Sequence, residues 1–74
     1  MSKKAKDYPT LIKAVRKQLD LSQEDLARET GVSYATVNRW ENGQTTPSQL
    51  AKAQLKAFCE KMIEEDRLKI RKFQ

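Results

Sequence analysis

Apolar positions recur at helical spacing along most of the chain. Tyr8, Ile12, Val15 and Leu19 fall at i, i+4, i+7 and i+11, which is one face of a helix, and Leu11 widens that stripe. Pro9 suits a first helical position, where the missing N–H costs nothing. A first helix is therefore expected from about Pro9 to Leu19, with Lys13, Arg16 and Lys17 off the centre of the stripe. After the short connection Asp20-Leu21, Ser22 with Asp25 three residues on forms a shortened capping box, and Glu24 and Asp25 suit the positive end of a second helix. Leu26 and Ala27 point inward, and Gly31 supplies the left-handed stop. Ser33 caps a third helix that runs to about Asn42 before Gly43, with Val37 and Trp40 sharing a face. Only about three residues, Gly31-Val32-Ser33, join helices two and three, so the two cross steeply as in a helix-turn-helix.

After the polar loop Gln44-Thr45-Thr46, the run Thr46-Pro47-Ser48-Gln49 starts a new helix, with Thr46 as N-cap, Pro47 at the first position and Gln49 closing a box. Its stripe is Leu50, Ala51, Leu55, Phe58, Met62 and Cys59, and nothing from Gln49 to Glu65 breaks it. Glu64, Glu65 and Asp66 oppose the dipole at its end, so fraying is expected there. Residues 1–7 read as a disordered basic arm, either a frayed end or a segment reaching DNA; residues 8–66 form the domain; residues 67–74 form a tail. In that tail Leu68, Ile70 and Phe73 alternate with Lys69, Arg71 and Lys72, which suits a strand, a helix extension or a partner-binding segment.

Composition narrows the function. A chain of 74 residues is one small domain that buries about 60–65% of its unfolded surface. It carries 15 Lys+Arg against 10 Asp+Glu, a net charge of +5, which suits a polyanionic partner. With no histidine and one cysteine, Ser-His and Cys-His nucleophile pairs are excluded, a zinc site is not expected, and an internal disulfide is impossible. The cluster Asp20, Glu24, Asp25 and Glu29 fits caps and a solvated face, so no enzyme and no cofactor are expected. The first twenty residues lack an apolar stretch of the secretory kind, and no apolar run is long enough to span a membrane, so a cytoplasmic protein is expected.

The stretch LSQEDLARETGVSYATVNRWENGQTTPS resembles the lambda-repressor-like, or Cro-type, helix-turn-helix family over about residues 10 to 55. Gln23 opens the unit, with Leu26, Ala27, Gly31, Val37 and Trp40 at its fourth, fifth, ninth, fifteenth and eighteenth positions. Ala27 must be small where the third helix crosses, Gly31 makes the turn, and Val37 and Trp40 dock the recognition helix. The resemblance implies an all-α bundle, usually of five helices; because nothing from Gln49 to Glu65 breaks a helix, four are expected here, with one long C-terminal helix in place of two short ones and five as the alternative. It also implies that Ser33, Tyr34, Ala35 and Arg39 read bases in the major groove, where Arg39 would pair with guanine. Asn38, on the same face, would read adenine or contact the backbone. Gln23 would hold a phosphate at a helix N-terminus, with Thr36, Asn42 and Gln44 as further phosphate candidates. Asn42 equally suits a purely structural role in ending the helix. Arg16 would pair with Glu41, as in relatives; its alternative is a DNA-facing cation.

Three classes of function follow. The first is a transcriptional regulator, or the DNA-binding domain of one, binding double-stranded DNA and usable as a homodimer on paired half-sites. The second is a DNA-binding antitoxin or accessory subunit whose C-terminal helix and tail bind a protein partner. The third is a helical module that keeps the fold and binds only protein.

Overall fold

The computed structural model describes residues 7–68 of the chain. The expectations for Lys3, Lys4 and Lys6 and for Lys69 to Phe73 lie outside the described residues. Four helices follow one another: α1 (Tyr8–Leu19), α2 (Gln23–Thr30), α3 (Tyr34–Glu41) and α4 (Gln49–Glu64). No strand occurs among the described residues.

Each helix is started by a side-chain oxygen that accepts an otherwise orphaned backbone N–H. Asp7 Oδ1 accepts from Thr10 N at 3.2 Å, and Ser33 Oγ accepts from Thr36 N at 3.1 Å. Ser22 and Asp25 exchange both bonds of a capping box, at 3.0 Å each. At α4 the structure corrects the sequence reading: Ser48, not Thr46, is the N-cap, accepting from Ala51 N at 3.2 Å. Pro47 is buried ahead of the helix rather than placed in its first turn, which leaves Ser48 to take the extended backbone (φ −65°, ψ 169°) that a cap requires.

All four helices also end alike. The chain turns into left-handed backbone at Asp20, Gly31, Gly43 and Asp66. The next N–H then reaches back to the carbonyl five residues earlier: Leu21 to Arg16, Val32 to Ala27, Gln44 to Arg39 and Arg67 to Met62, at 2.9–3.0 Å. This is the Schellman closure. At α4 it replaces the expected fraying, because Arg67 N and Asp66 N satisfy carbonyls that would otherwise open to water.

The core lies in two connected parts. Under the helix-turn-helix, Ile12, Leu26, Val37 and Leu55 are almost wholly buried beside Trp40 and the small residues Ala27 and Ala51. At the other end, Val15, Leu19, Cys59, Met62 and Leu68 close together, with half-buried Phe58 and Leu21 touching both parts. Two expectations change here. Leu68 is 1% exposed, so the folded unit extends past residue 66 into the tail. Leu50 is 70% exposed and does not belong to the α4 stripe. The buried face is set by Ala51, Leu55, Cys59 and Met62, and Leu50 lies one position, about 100°, away from it. Burial, with a smaller push from Glu60, raises the Cys59 thiol to about 12, so it stays protonated and acts as core.

Candidate nucleic-acid interface

The outward face of α3 is fixed by what its inward face buries. Val37 and Trp40 are 0% and 2% exposed, which holds the helix in one rotation. Ser33, Tyr34, Ala35 and Arg39 are then exposed, with Thr36 and Asn38 half-buried at the edges. Tyr34 is 52% exposed, unusual for a large ring with an apolar body. Arg39 forms no ion pair among the described residues, whereas exposed Arg28 on α2 is neutralised by Asp25 at 2.8 Å. Ser33 is engaged as the helix cap, and its hydroxyl also lies 2.9 Å from that of Thr36.

Behind this face runs a chain of hydrogen bonds that ties three helices together. Arg16 on α1 grips Glu41 at the end of α3 through two bonds, Nε to Oε2 at 2.6 Å and Nη2 to Oε1 at 2.8 Å. The third guanidinium nitrogen, Nη1, donates to the Leu21 carbonyl at 3.1 Å. Glu41 Oε1 also accepts from Gln23 Nε2 at 3.0 Å, and Gln23 Oε1 accepts from Asn38 Nδ2 at 3.2 Å. Asn42 Nδ2 then donates to Asn38 Oδ1 at 3.1 Å.

The structure thus brings Arg16 and Glu41 together. It also draws Gln23, Asn38 and Asn42, read from the sequence as DNA contacts, into the same network. Gln44 stands apart, exposed, with its backbone N–H closing α3. Sequence reasoning missed the links from Gln23 to Glu41 and to Asn38. Partners 18 and 15 residues apart on different helices leave no trace in any local spacing.

The charge on Glu41 is a balance of opposed effects. Burial alone would raise its carboxyl; the hydrogen bonds from Arg16 and Gln23, with the positive charges of Arg16 and Lys13, outweigh it and hold the group below the usual carboxylate range. Asp25 is likewise lowered, first by the Ser22 backbone N–H and then by the Ser22 hydroxyl. A lowered folded-state pKa means that the stabilisation is fully present above the unfolded value, about 4.3 for glutamate, and is lost as pH falls through the lower folded value. Denaturation midpoints should therefore hold steady from neutrality to about pH 5 and drop below that, with Glu41→Gln reducing the slope. An acid limb equally steep in Glu41→Gln would show that other carboxylates carry the effect.

A family model described as helix-turn-helix matches residues 12–51, more than half of the chain. The type II methyltransferase M1.ScrFI of Lactococcus lactis subsp. cremoris is 42% identical over 53 residues. That match covers 68% of this chain and spans 14% of the methyltransferase's length. No solved structure matches the chain at a significant level.

Proposed function

The chain belongs to the helix-turn-helix family, a DNA-binding family with this lambda-repressor-like, all-helical fold, and we propose that it reads a short base sequence in the major groove of double-stranded DNA as a transcriptional regulator or the DNA-binding module of one. The observation that carries this reading is the docked α3, whose exposed face holds an aromatic, a small residue and an arginine with no ion pair among the described residues. In this account Arg39 forks onto a guanine, Ala35 and Ser33 leave room for a thymine methyl, and Tyr34 packs on sugar or phosphate. The start of α2 and Thr36, Asn42 and Gln44 lie along the flanks, where backbone phosphates would set the register. The net charge of +5 draws the polyanion in and makes binding fall with salt.

The chain does no chemistry of its own on this reading. It lacks histidine, and its lone cysteine is buried and protonated. The likeness to a methyltransferase covers a small part of that protein and fits a DNA-reading module that also stands within a larger enzyme. A homodimer on half-sites about one helical turn apart would extend the short sequence that one α3 can read. The alternative, a DNA-binding antitoxin or accessory subunit that binds a partner through its C-terminal helix and tail, loses one of its motivating residues, because Leu68 is buried in the domain's own core. A domain that binds DNA would act where the DNA is, in the cytoplasm and on the nucleoid; separately, among the described residues no helix is long and apolar enough to cross a membrane.

The test is selection from random duplex DNA at several salt concentrations. A short enriched motif is expected, with affinity falling steeply as salt rises. Arg39→Ala should relax one base position by about 1–3 kcal/mol and leave the others unchanged. Enrichment of no motif, with weak or salt-insensitive binding, would overturn the proposal.

A further inference from the structure

Asn38 sits half-buried at the edge of the outward face of α3, where the sequence alone suggests an amide that reads adenine or contacts the backbone. Reading adenine needs one donor and one acceptor presented together to the base. In the folded chain each end of the amide already holds a protein partner, Nδ2 donating to Gln23 Oε1 and Oδ1 accepting from Asn42 Nδ2, so the one N–H and one lone pair that remain are held in an orientation set by the protein. The direction of these bonds is not arbitrary. Glu41, held ionised, can only accept, so Gln23 must turn its NH2 toward it. The Gln23 carbonyl then faces Asn38, which must answer with its own NH2, and the Asn38 carbonyl is left for Asn42. One carboxylate with no ambiguity of its own thus sets the orientation of two successive amides. Asn38 is half-buried, unlike exposed Arg39, Tyr34 and Ala35.

We infer that Asn38 is a positioning residue, not a base reader: through Gln23 it locks α3 to the first turn of α2 and so sets the height and rotation at which Tyr34, Ala35 and Arg39 meet the groove. The inference rests on the groove-reading function proposed above and narrows which residues carry its specificity. It has a thermodynamic signature. A base reader discriminates among bases at one position, whereas a positioning residue weakens every sequence alike. A residue acting through Gln23 should also add little once Gln23 is gone.

The experiment runs the same random-duplex selection on the wild-type chain, Asn38→Ala, Gln23→Ala and the double variant, with denaturant midpoints of all four proteins measured alongside. Asn38→Ala should enrich the wild-type motif at unchanged base preferences, with affinity lowered about 2- to 12-fold for all sequences, the range of one hydrogen bond. The double variant should bind and unfold close to Gln23→Ala alone. Relaxed preference at a single base position in Asn38→Ala would make it a reader and overturn the inference, as would wild-type affinity. Losses that simply multiply in the double variant would also overturn it. If the wild-type chain enriches no motif, the proposed function fails, while the coupling between Gln23 and Asn38 in the denaturation data still decides whether the link holds α3.

Discussion

Arg16→Met should lower the folding stability by about 3 kcal/mol, the low end of what breaking a buried ion pair costs. The reason lies on the other side of the pair. The Glu41 side chain is 3% exposed and ionised, and three of its hydrogen-bonding contacts are to Arg16 and Gln23. Without the guanidinium, the carboxylate keeps one amide donor inside low-dielectric surroundings. Arg16 itself is 24% exposed, so water reaches the site in part and the upper end of the range is not expected. A domain of this size has a total stability of roughly 4–11 kcal/mol. The variant should thus melt roughly 12–24 °C lower and lose DNA affinity as α3 loosens from α1. Replacing both partners, as in Arg16→Met with Glu41→Leu, should recover much of the loss, because no buried charge is left uncompensated. A cost below about 1 kcal/mol for Arg16→Met, the value of a surface pair, would mean that Glu41 finds other partners.

Trp40→Ala should cost about 3–5 kcal/mol, a large share of the domain's stability, and abolish specific binding. Trp40 is 2% exposed and packs with Ile12, Leu26, Val37 and Leu55, the cluster on which α3 is docked. Its removal leaves a cavity where all four helices meet, and the short α3, eight residues long, has no stability of its own to fall back on. Trp40→Phe keeps most of the packed volume and should retain the fold at a lower melting temperature. The chain has one tryptophan, so its fluorescence reports this site directly. Emission should be that of a buried indole and little changed by DNA. Strong quenching on DNA addition, with Trp40→Ala as stable as the wild-type chain, would identify a stacking surface in place of a core residue.

Much of this organisation is legible in the sequence, for definite reasons. The stripe of α1 and the docking pair Val37 and Trp40 repeat at helical spacing, and Gly31 and Gly43 mark two ends because glycine enters left-handed backbone without strain. Asp20 and Asp66 close their helices in the same way but carry no such signature, since aspartate more often starts a helix. Thr46-Pro47-Ser48 offers two hydroxyls, and local pattern does not say which one caps. Leu68 looks like tail because its partners, Val15 and Leu19, lie far back in α1. The site divides likewise. The exposed face of α3 follows from the buried one, whereas the roles of Gln23 and Asn38 depend on a carboxylate that reaches them only in the folded chain.

The central claim is that α3 enters the groove of duplex DNA with its Tyr34–Ala35–Arg39 face. The measurement that tests it most directly is the change in backbone amide NMR shifts of the labelled chain as a short duplex is added. The account predicts large changes from Ser33 to Arg39, at Gln23 and at Gln44, and small ones from Leu55 to Met62 on α4. Changes centred on the Phe58 and Lys61 side of α4, or none along α3 at saturating duplex, would contradict it.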